Sequence, residues 1–305
     1  MSAEELFDHY QAFLTAQNRD TSALLRERFP QSTSVPDLLA RLDLFKSWLD
    51  SFRPLPADVL HELRQFYTVS LTYNSNAIEG NTLSLHETEM VLSHGITVGG
   101  KTLEEHLEVI GHRDAMEYME NLAQEKTPLS EWEIKNLHSL ILRPIDQNTG
   151  QHEAGQYRSL DVRAAGTDHI YPPHFHIAGL MEDFISWLNS PPAKALHPVE
   201  HAAEAHYQLV TIHPFRDGNG RTARLLMNLC LLRAGFPISV ISNDTRSAYI
   251  EAIMTAQDQD DKTPLIVLVA QACQNSFIEY LRLLSTANSS RGKGSLFYQT
   301  FVAAP

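Results

Sequence analysis

A chain of 305 residues is long enough to bury a sizeable core in one large or two modest domains, and its net charge of −13 argues against sequence-independent binding to nucleic acid or an anionic membrane, which needs a basic face. Its two cysteines, Cys230 and Cys273, fall in apolar runs, which disfavours a disulfide framework and makes a reducing compartment the default. The start, Met1-Ser2-Ala3-Glu4-Glu5, is acidic where a secretory leader is basic, and the longest apolar run, Pro264 to Ala270, is too short for a bilayer, so the expectation is a soluble, cytoplasmic protein with no nucleic-acid or membrane partner.

Residues 3 to 28 have helical spacing, and Pro30 to Pro36 is a turn-rich break. Leu38, Leu39, Leu42, Phe45 and Trp48 then recur at three and four, which predicts an amphipathic helix closed by Pro54 and Pro56. A second helix is predicted from about Ala57 through Leu60, Leu63, Phe66 and Leu71 to Glu79, with Gly80 as its stop; Ser75 and Glu79, four apart, share a face. Capping boxes predict three more helix starts: Ser84 with Glu87, Thr102 with Glu105, and Ser130 with Glu133. His86, His94, His106, His112 and His138 lie on or beside these helices and read as surface or satisfied core histidines.

From Gly155 to Pro173 the helical pattern breaks. Tyr157, Leu160 and Val162, then Ile170 and Tyr171, flank Ala164-Ala165-Gly166-Thr167-Asp168, which predicts a short β-hairpin. His197-Pro198-Val199-Glu200-His201 satisfies the inverted zinc-protease pattern, but Pro198 fits the first turn of a helix, leaving His197 outside it and off the face of His201.

The most informative stretch runs from His213 to Arg224. An apolar run (Leu209, Val210, Ile212) leads into His213, and Pro214 biases that residue out of α geometry, so one helix ends on an imidazole at a rim. Asp217-Gly218-Asn219-Gly220 is a tight turn whose amides can point into one concavity, and a helix with Leu225, Leu226, Leu229 and Leu232 starts behind it. An amide nest at a helix N-terminus is an anion site. Arg221 and Arg224, three apart, can offer guanidinium forks to phosphate, and Asp217 suits a Mg²⁺ that bridges phosphates. A calcium loop starting at Asp217 is excluded, since its twelfth position is Asn228. Beyond this helix Gly235-Phe236-Pro237 is a stop, Asn243 or Asp244 caps the next helix, Pro264 to Leu284 is a final apolar helix, and the tail from Ala287 reads as flexible.

The stretch resembles the signature of the Fic family, His-x-Phe-x-Asp/Glu-Gly-Asn-Gly-Arg-x-x-Arg, at every fixed position: His213, Phe215, Asp217, Gly218, Asn219, Gly220, Arg221 and Arg224. The resemblance implies transfer of AMP from ATP to a Ser, Thr or Tyr hydroxyl of a target protein, the chain itself included, with ATP as substrate and Mg²⁺, or Mn²⁺ in its place, as cofactor. It implies His213 as the base, Asp217 as the metal ligand, and Asp217 through Arg224, including Thr222 and Ala223, as the nucleotide-binding run, with Arg224 on the γ-phosphate. The phosphate-transferring Doc branch alters the second glycine; Gly220 is intact here, which favours AMP transfer. Ser75-Asn76-Ala77-Ile78-Glu79-Gly80 matches the motif of self-inhibited members, in which Glu79 pairs with Arg224 in the place of the γ-phosphate.

Gly155-Gln156-Tyr157-Arg158 matches the entry to a hairpin flap that lays the target beside the histidine, with Gly166 and Thr167 of its tip at the nucleotide. Tyr249, Ile250 and Gln257 match positions that hold adenine and ribose. The implied fold is mostly α: a Fic helical bundle with the flap, an N-terminal helical region over 1–100 whose inhibitory helix covers about 57–80, a catalytic domain over 101–285 and a tail over 286–305. Two other functions fit the same residues, AMP removal with Glu79 directing a water and an ATP-sensing module without catalysis, and a homodimer is the implied assembly.

Overall fold

The computed structural model describes residues 34–163 and 169–286, which form eleven α-helices and two 3₁₀ turns. In chain order these are α1 (Val35–Ser51), α2 (Ala57–Ile78), α3 (Leu85–His94), α4 (Leu103–Gln124), α5 (Glu131–Thr149), α6 (Ile177–Asn189), α7 (Pro191–Lys194), α8 (Pro198–Ile212), α9 (Asn219–Arg233), α10 (Arg246–Gln259) and α11 (Thr263–Thr286). The helix expected over 3 to 28, the hairpin tip with Gly166 and Thr167, and the tail from Ala287 lie outside the described residues. The fold is all-α as expected, but among the described residues there is no strand: the arms of the expected hairpin, 157–163 and 169–173, are irregular.

Local chemistry sets most helix ends. All three capping boxes form, with Ser84, Thr102 and Ser130 as N-caps of α3, α4 and α5. Pro36 stands in the first turn of α1, where its missing N–H costs nothing, so this helix begins inside the stretch expected to be a break. Neither Asn243 nor Asp244 caps the next helix: Ser242 caps a 3₁₀ turn over Asn243–Thr245, its hydroxyl accepting the Asp244 amide at 3.2 Å, and α10 opens behind it at Arg246 with Thr245 at its N-cap position.

Helix α9 is the axis of the molecule. Almost all of its residues are buried, Arg221, Arg224 and Asn228 included, and those polar side chains find hydrogen-bond partners inside the fold. It packs against α8, α4, α5 and α2, while α11 with α1 closes the bundle behind α8. Because α9 begins at the turn after His213, the core itself fixes the direction in which its N-terminal amides point.

Helices α4 and α5 approach backbone to backbone at Gly111. A Cβ there would overlap the Ile141 carbonyl and lie 2.8 Å from that of Leu140, to which Pro144 inside α5 offers no N–H. Gly111→Ala is therefore expected to destabilise the fold by about 1–3 kcal/mol through overpacking. Alanine's helix propensity, worth about 1 kcal/mol, works the other way. Gly179→Ala in α6, where a Cβ meets open space, should instead stabilise by about 0.5–1 kcal/mol. Denaturant midpoints measure both, and a Gly111→Ala midpoint at or above wild type would refute the close approach.

Candidate active site

Helix α8 begins at Pro198, capped by His197, whose Nδ1 accepts the Val199 amide at 3.2 Å while the Glu200 carboxylate accepts the His197 amide at 3.3 Å. His197 and Glu200 of the zinc-like pattern are thus spent on a helix start, with His197 Nε2 3.2 Å from Asp43. The helix ends on His213, which takes left-handed geometry at φ 51° and ψ 57°. Its Nδ1 lies 3.3 Å from the Val210 carbonyl, so the proton belongs on Nδ1 and the lone pair on Nε2. Burial pushes its pKa down to about 4, the Val210 bond opposing the shift and the Arg158 charge adding to it.

Two residues hold this histidine in place. Tyr171 stacks on the ring, centroids 4.0 Å apart. Buried Arg158 donates from Nε to the His213 carbonyl at 2.8 Å and from its other nitrogens to the carbonyls of Leu160, at 3.1 Å, and Pro172, at 2.5 Å. One guanidinium therefore ties both arms flanking 164–168 to the backbone of the histidine.

In the following turn Gly218 takes φ 73°, which an L side chain resists. The first intrahelical bond of α9 runs from the Thr222 amide to the Gly218 carbonyl at 2.9 Å, so the amides of Asn219, Gly220 and Arg221 precede it at the open end of the helix. The Asn219 side chain braces the turn, bonding both the amide and the carbonyl of Phe215 at 2.9 Å. Thr222 and Ala223 are buried, and the Thr222 hydroxyl bonds the Gly218 carbonyl at 2.8 Å, so their side chains serve the helix.

His138 supports the turn from below. It stacks on Phe215 at 3.7 Å, accepts the Gly155 amide on Nδ1 at 2.9 Å, and therefore donates from Nε2 to the Asp217 carbonyl at 2.9 Å. Burial takes its pKa down to about 4, so it stays neutral.

The two arginines fan apart. Arg221 bonds Asp217 and Glu108, each at 2.9 Å. Arg224, 2% exposed, donates from Nε to the Ser75 hydroxyl at 3.0 Å and from one terminal nitrogen to the Ser75 carbonyl at 2.8 Å and the Glu79 carboxylate at 2.6 Å. Its other terminal nitrogen reaches the Tyr249 hydroxyl at 3.2 Å. Glu79 is the C-cap of α2, and a Cβ at Gly220 would overlap its Oε1, so the carboxylate lies over the first turn of α9. A carboxylate thus stands beside the N-terminal turn of α9, where a helix favours negative charge. Helix α2 is held there by Arg246 on the Ile78 carbonyl at 2.7 Å, Thr72 against His112 at 3.1 Å, and Asn81 on Glu108 at 2.8 Å.

Thus His213, Asp217, Gly218, Asn219, Gly220, Arg221, Arg224, Ser75 and Glu79 come together. Tyr249 reaches them through its hydroxyl, Ile250 stays partly exposed, and Gln257 bonds Thr211 of α8 at 3.2 Å. Glu108, His138 and Tyr171 also build the site. Nothing in their local sequence marks them, because each works on a residue distant along the chain.

The model of the Fic/DOC family matches residues 128–231. Protein adenylyltransferase Fic of Drosophila grimshawi is 40% identical over 209 residues, 68% of this chain and 42% of that protein. Its counterpart from Culex quinquefasciatus is 34% identical over 279 residues, 90% and 54%. The chain spans about half the length of these curated relatives. Among solved structures, Fic-1 (aa134–508) from C. elegans is similar at 33% identity and TM-score 0.71, over 81% of this chain and 72% of that one. A Fic domain containing signaling protein from Bacteroides thetaiotaomicron is similar at 29% identity and TM-score 0.73, over 79% and 97%.

Proposed function

The chain belongs to the Fic family, and from that premise we propose that it is a protein adenylyltransferase held in a self-inhibited state, with AMP passing from ATP to a Ser, Thr or Tyr hydroxyl of a target protein. One observation carries the reading: the Glu79 carboxylate lies on Arg224 and on the amide end of α9, where the triphosphate would be gripped, with the base His213 on the rim just before that helix.

When a triphosphate replaces Glu79, its terminal phosphate takes over the Arg224 donors and its inner phosphates take the amides of Asn219 to Arg221. The target hydroxyl oxygen then bonds to the α-phosphorus, the bond from that phosphorus to the bridging oxygen breaks, pyrophosphate leaves, and the hydroxyl proton passes to His213 Nε2. A histidine held neutral well below physiological pH is always ready to accept it. Asp217 fits the metal: its side chain is 69% exposed, and one carboxylate with phosphate oxygens is the usual donor set of Mg²⁺. Bound there, Mg²⁺ or Mn²⁺ would neutralise phosphate charge.

The test uses two labels on the Glu79→Gly protein. Phosphorus-32 in the α-position of ATP should stay on protein after denaturation, and the same isotope in the γ-position should not. Retention of the γ-label would make the chain a phosphotransferase, and retention of neither, with ATP bound, would make it a sensing module.

A further inference from the structure

We propose that Tyr249 is the fixed anchor of Arg224, that its hydroxyl rather than its ring face serves the nucleotide site, and that His206 behind it orients that hydroxyl. The inference rests on Arg224 as the group that grips the γ-phosphate.

Tyr249 is 2% exposed, so it has no open face on which a base could stack. Its hydroxyl lies 3.2 Å from an Arg224 terminal nitrogen and 2.8 Å from His206 Nε2. A guanidinium only donates, so the phenol oxygen accepts from Arg224. Burial, with the Arg224 charge adding to it, takes the His206 pKa down to about 3, so the imidazole is neutral. The phenol proton then goes to Nε2, because the other tautomer would leave both that proton and the lone pair of the unpartnered Nδ1 without partners. The order His206, Tyr249, Arg224 is thereby directional.

The anchor matters because of where the other partners sit. Ser75 lies in α2 and Glu79 is the C-cap of that helix, whereas Tyr249 belongs to α10. Any movement of α2 that withdraws Glu79 withdraws Ser75 with it. Tyr249 remains to keep the buried guanidinium aimed at the terminal phosphate, which makes it a positioning residue.

Tyr249→Phe keeps the ring and removes only the hydroxyl, so it separates anchoring from packing or base contact. In the Glu79→Gly protein, calorimetric titration with Mg²⁺ and the uncleavable α,β-methylene analogues of ATP and ADP should show tighter binding of the triphosphate. Adding Tyr249→Phe should cut that preference about tenfold, the equivalent of one hydrogen bond to a charged group, while diphosphate affinity changes less than twofold. His206→Gln should move the preference in the same direction by a smaller factor, and it keeps the test alive if the first variant folds poorly. Parallel weakening of both analogues, or an unchanged preference in both variants, overturns the anchor alone. A parent with no preference for the triphosphate overturns the γ-phosphate reading of Arg224, and the anchor with it.

Discussion

Glu79→Gly is expected to raise the rate of AMP incorporation by about 30- to 150-fold over wild type. The Glu79 carboxylate holds an Arg224 nitrogen at 2.6 Å and lies over the first turn of α9, where the proposed triphosphate would be gripped. ATP must displace it before a reactive pose forms. A close charge pair with one partner fully buried couples by several kcal/mol; discounting for a Glu79 side chain that is 37% exposed leaves about 2–3 kcal/mol, hence the stated factor. Glycine also adds no side chain that could take the carboxylate's place. The initial rate of label transfer from α-labelled ATP measures the effect, and a rate within twofold of wild type would sink the inhibitory role.

The same substitution addresses AMP removal. If Glu79 directs a water that releases AMP, the variant would accumulate label because it cannot shed it, with the forward rate unchanged. Adding unlabelled wild-type protein to labelled variant separates the cases: inhibition predicts stable label, removal predicts its loss. A second consequence is thermodynamic. Losing Glu79 leaves a buried guanidinium short of an acceptor, so the variant without nucleotide should melt below wild type and recover more on adding Mg²⁺ and ATP.

What the sequence made legible depends on the range of the signal. The capping boxes at Ser84, Thr102 and Ser130, Pro198 at the start of α8 and Gly80 beyond α2 are each read within a few residues, and each marks a real boundary. The amphipathic run from Leu38 to Trp48 shows that a face is buried without saying against what; in the fold it meets α11, with Phe45 6.1 Å from Phe277. Two arginines three apart suggest one phosphate grip; the motif resemblance already pairs Arg224 with Glu79, a contact the fold makes across 145 residues, whereas the hold of Glu108 on Arg221 across 113 comes from the structure alone. His138 reads as an ordinary core histidine because its bonds to Gly155 and Asp217 are to backbone, which leaves no side-chain pattern. Tyr249 is an aromatic at a position that suggests base stacking, and its hydroxyl contact with Arg224 follows from packing alone.

Removing the imidazole of His213 is expected to lower transfer in the Glu79→Gly protein by about 10³-fold, within the range for loss of a general base. The residue sits at φ 51°, where alanine is strained, so His213→Ala alone would mix chemistry with backbone cost. Asparagine tolerates that geometry but cannot take the proton, so His213→Asn must be as inactive as His213→Ala while binding the α,β-methylene ATP analogue within about threefold of its parent. An active asparagine variant would end the assignment of the base. The pH profile supplies the sign. The base works when deprotonated, so activity falls as pH drops through its folded pKa, here about 4 because burial disfavours the imidazolium. Between pH 7.5 and 5.5 an ordinary imidazole would lose about nine-tenths of its deprotonated form, whereas this one loses only a few per cent. kcat/KM, which reports the free enzyme, should therefore stay nearly flat over that interval. His112 and His206, with pKa values taken down to about 3, and His138, at about 4, bind fewer protons folded than unfolded, so stability declines as pH falls below about 6.5. Rates are thus to be compared where circular dichroism shows the fold intact, and a tenfold drop there by pH 5.5 would show that the imidazole is not shielded as the Tyr171 stack and the Arg158 bond to its carbonyl require.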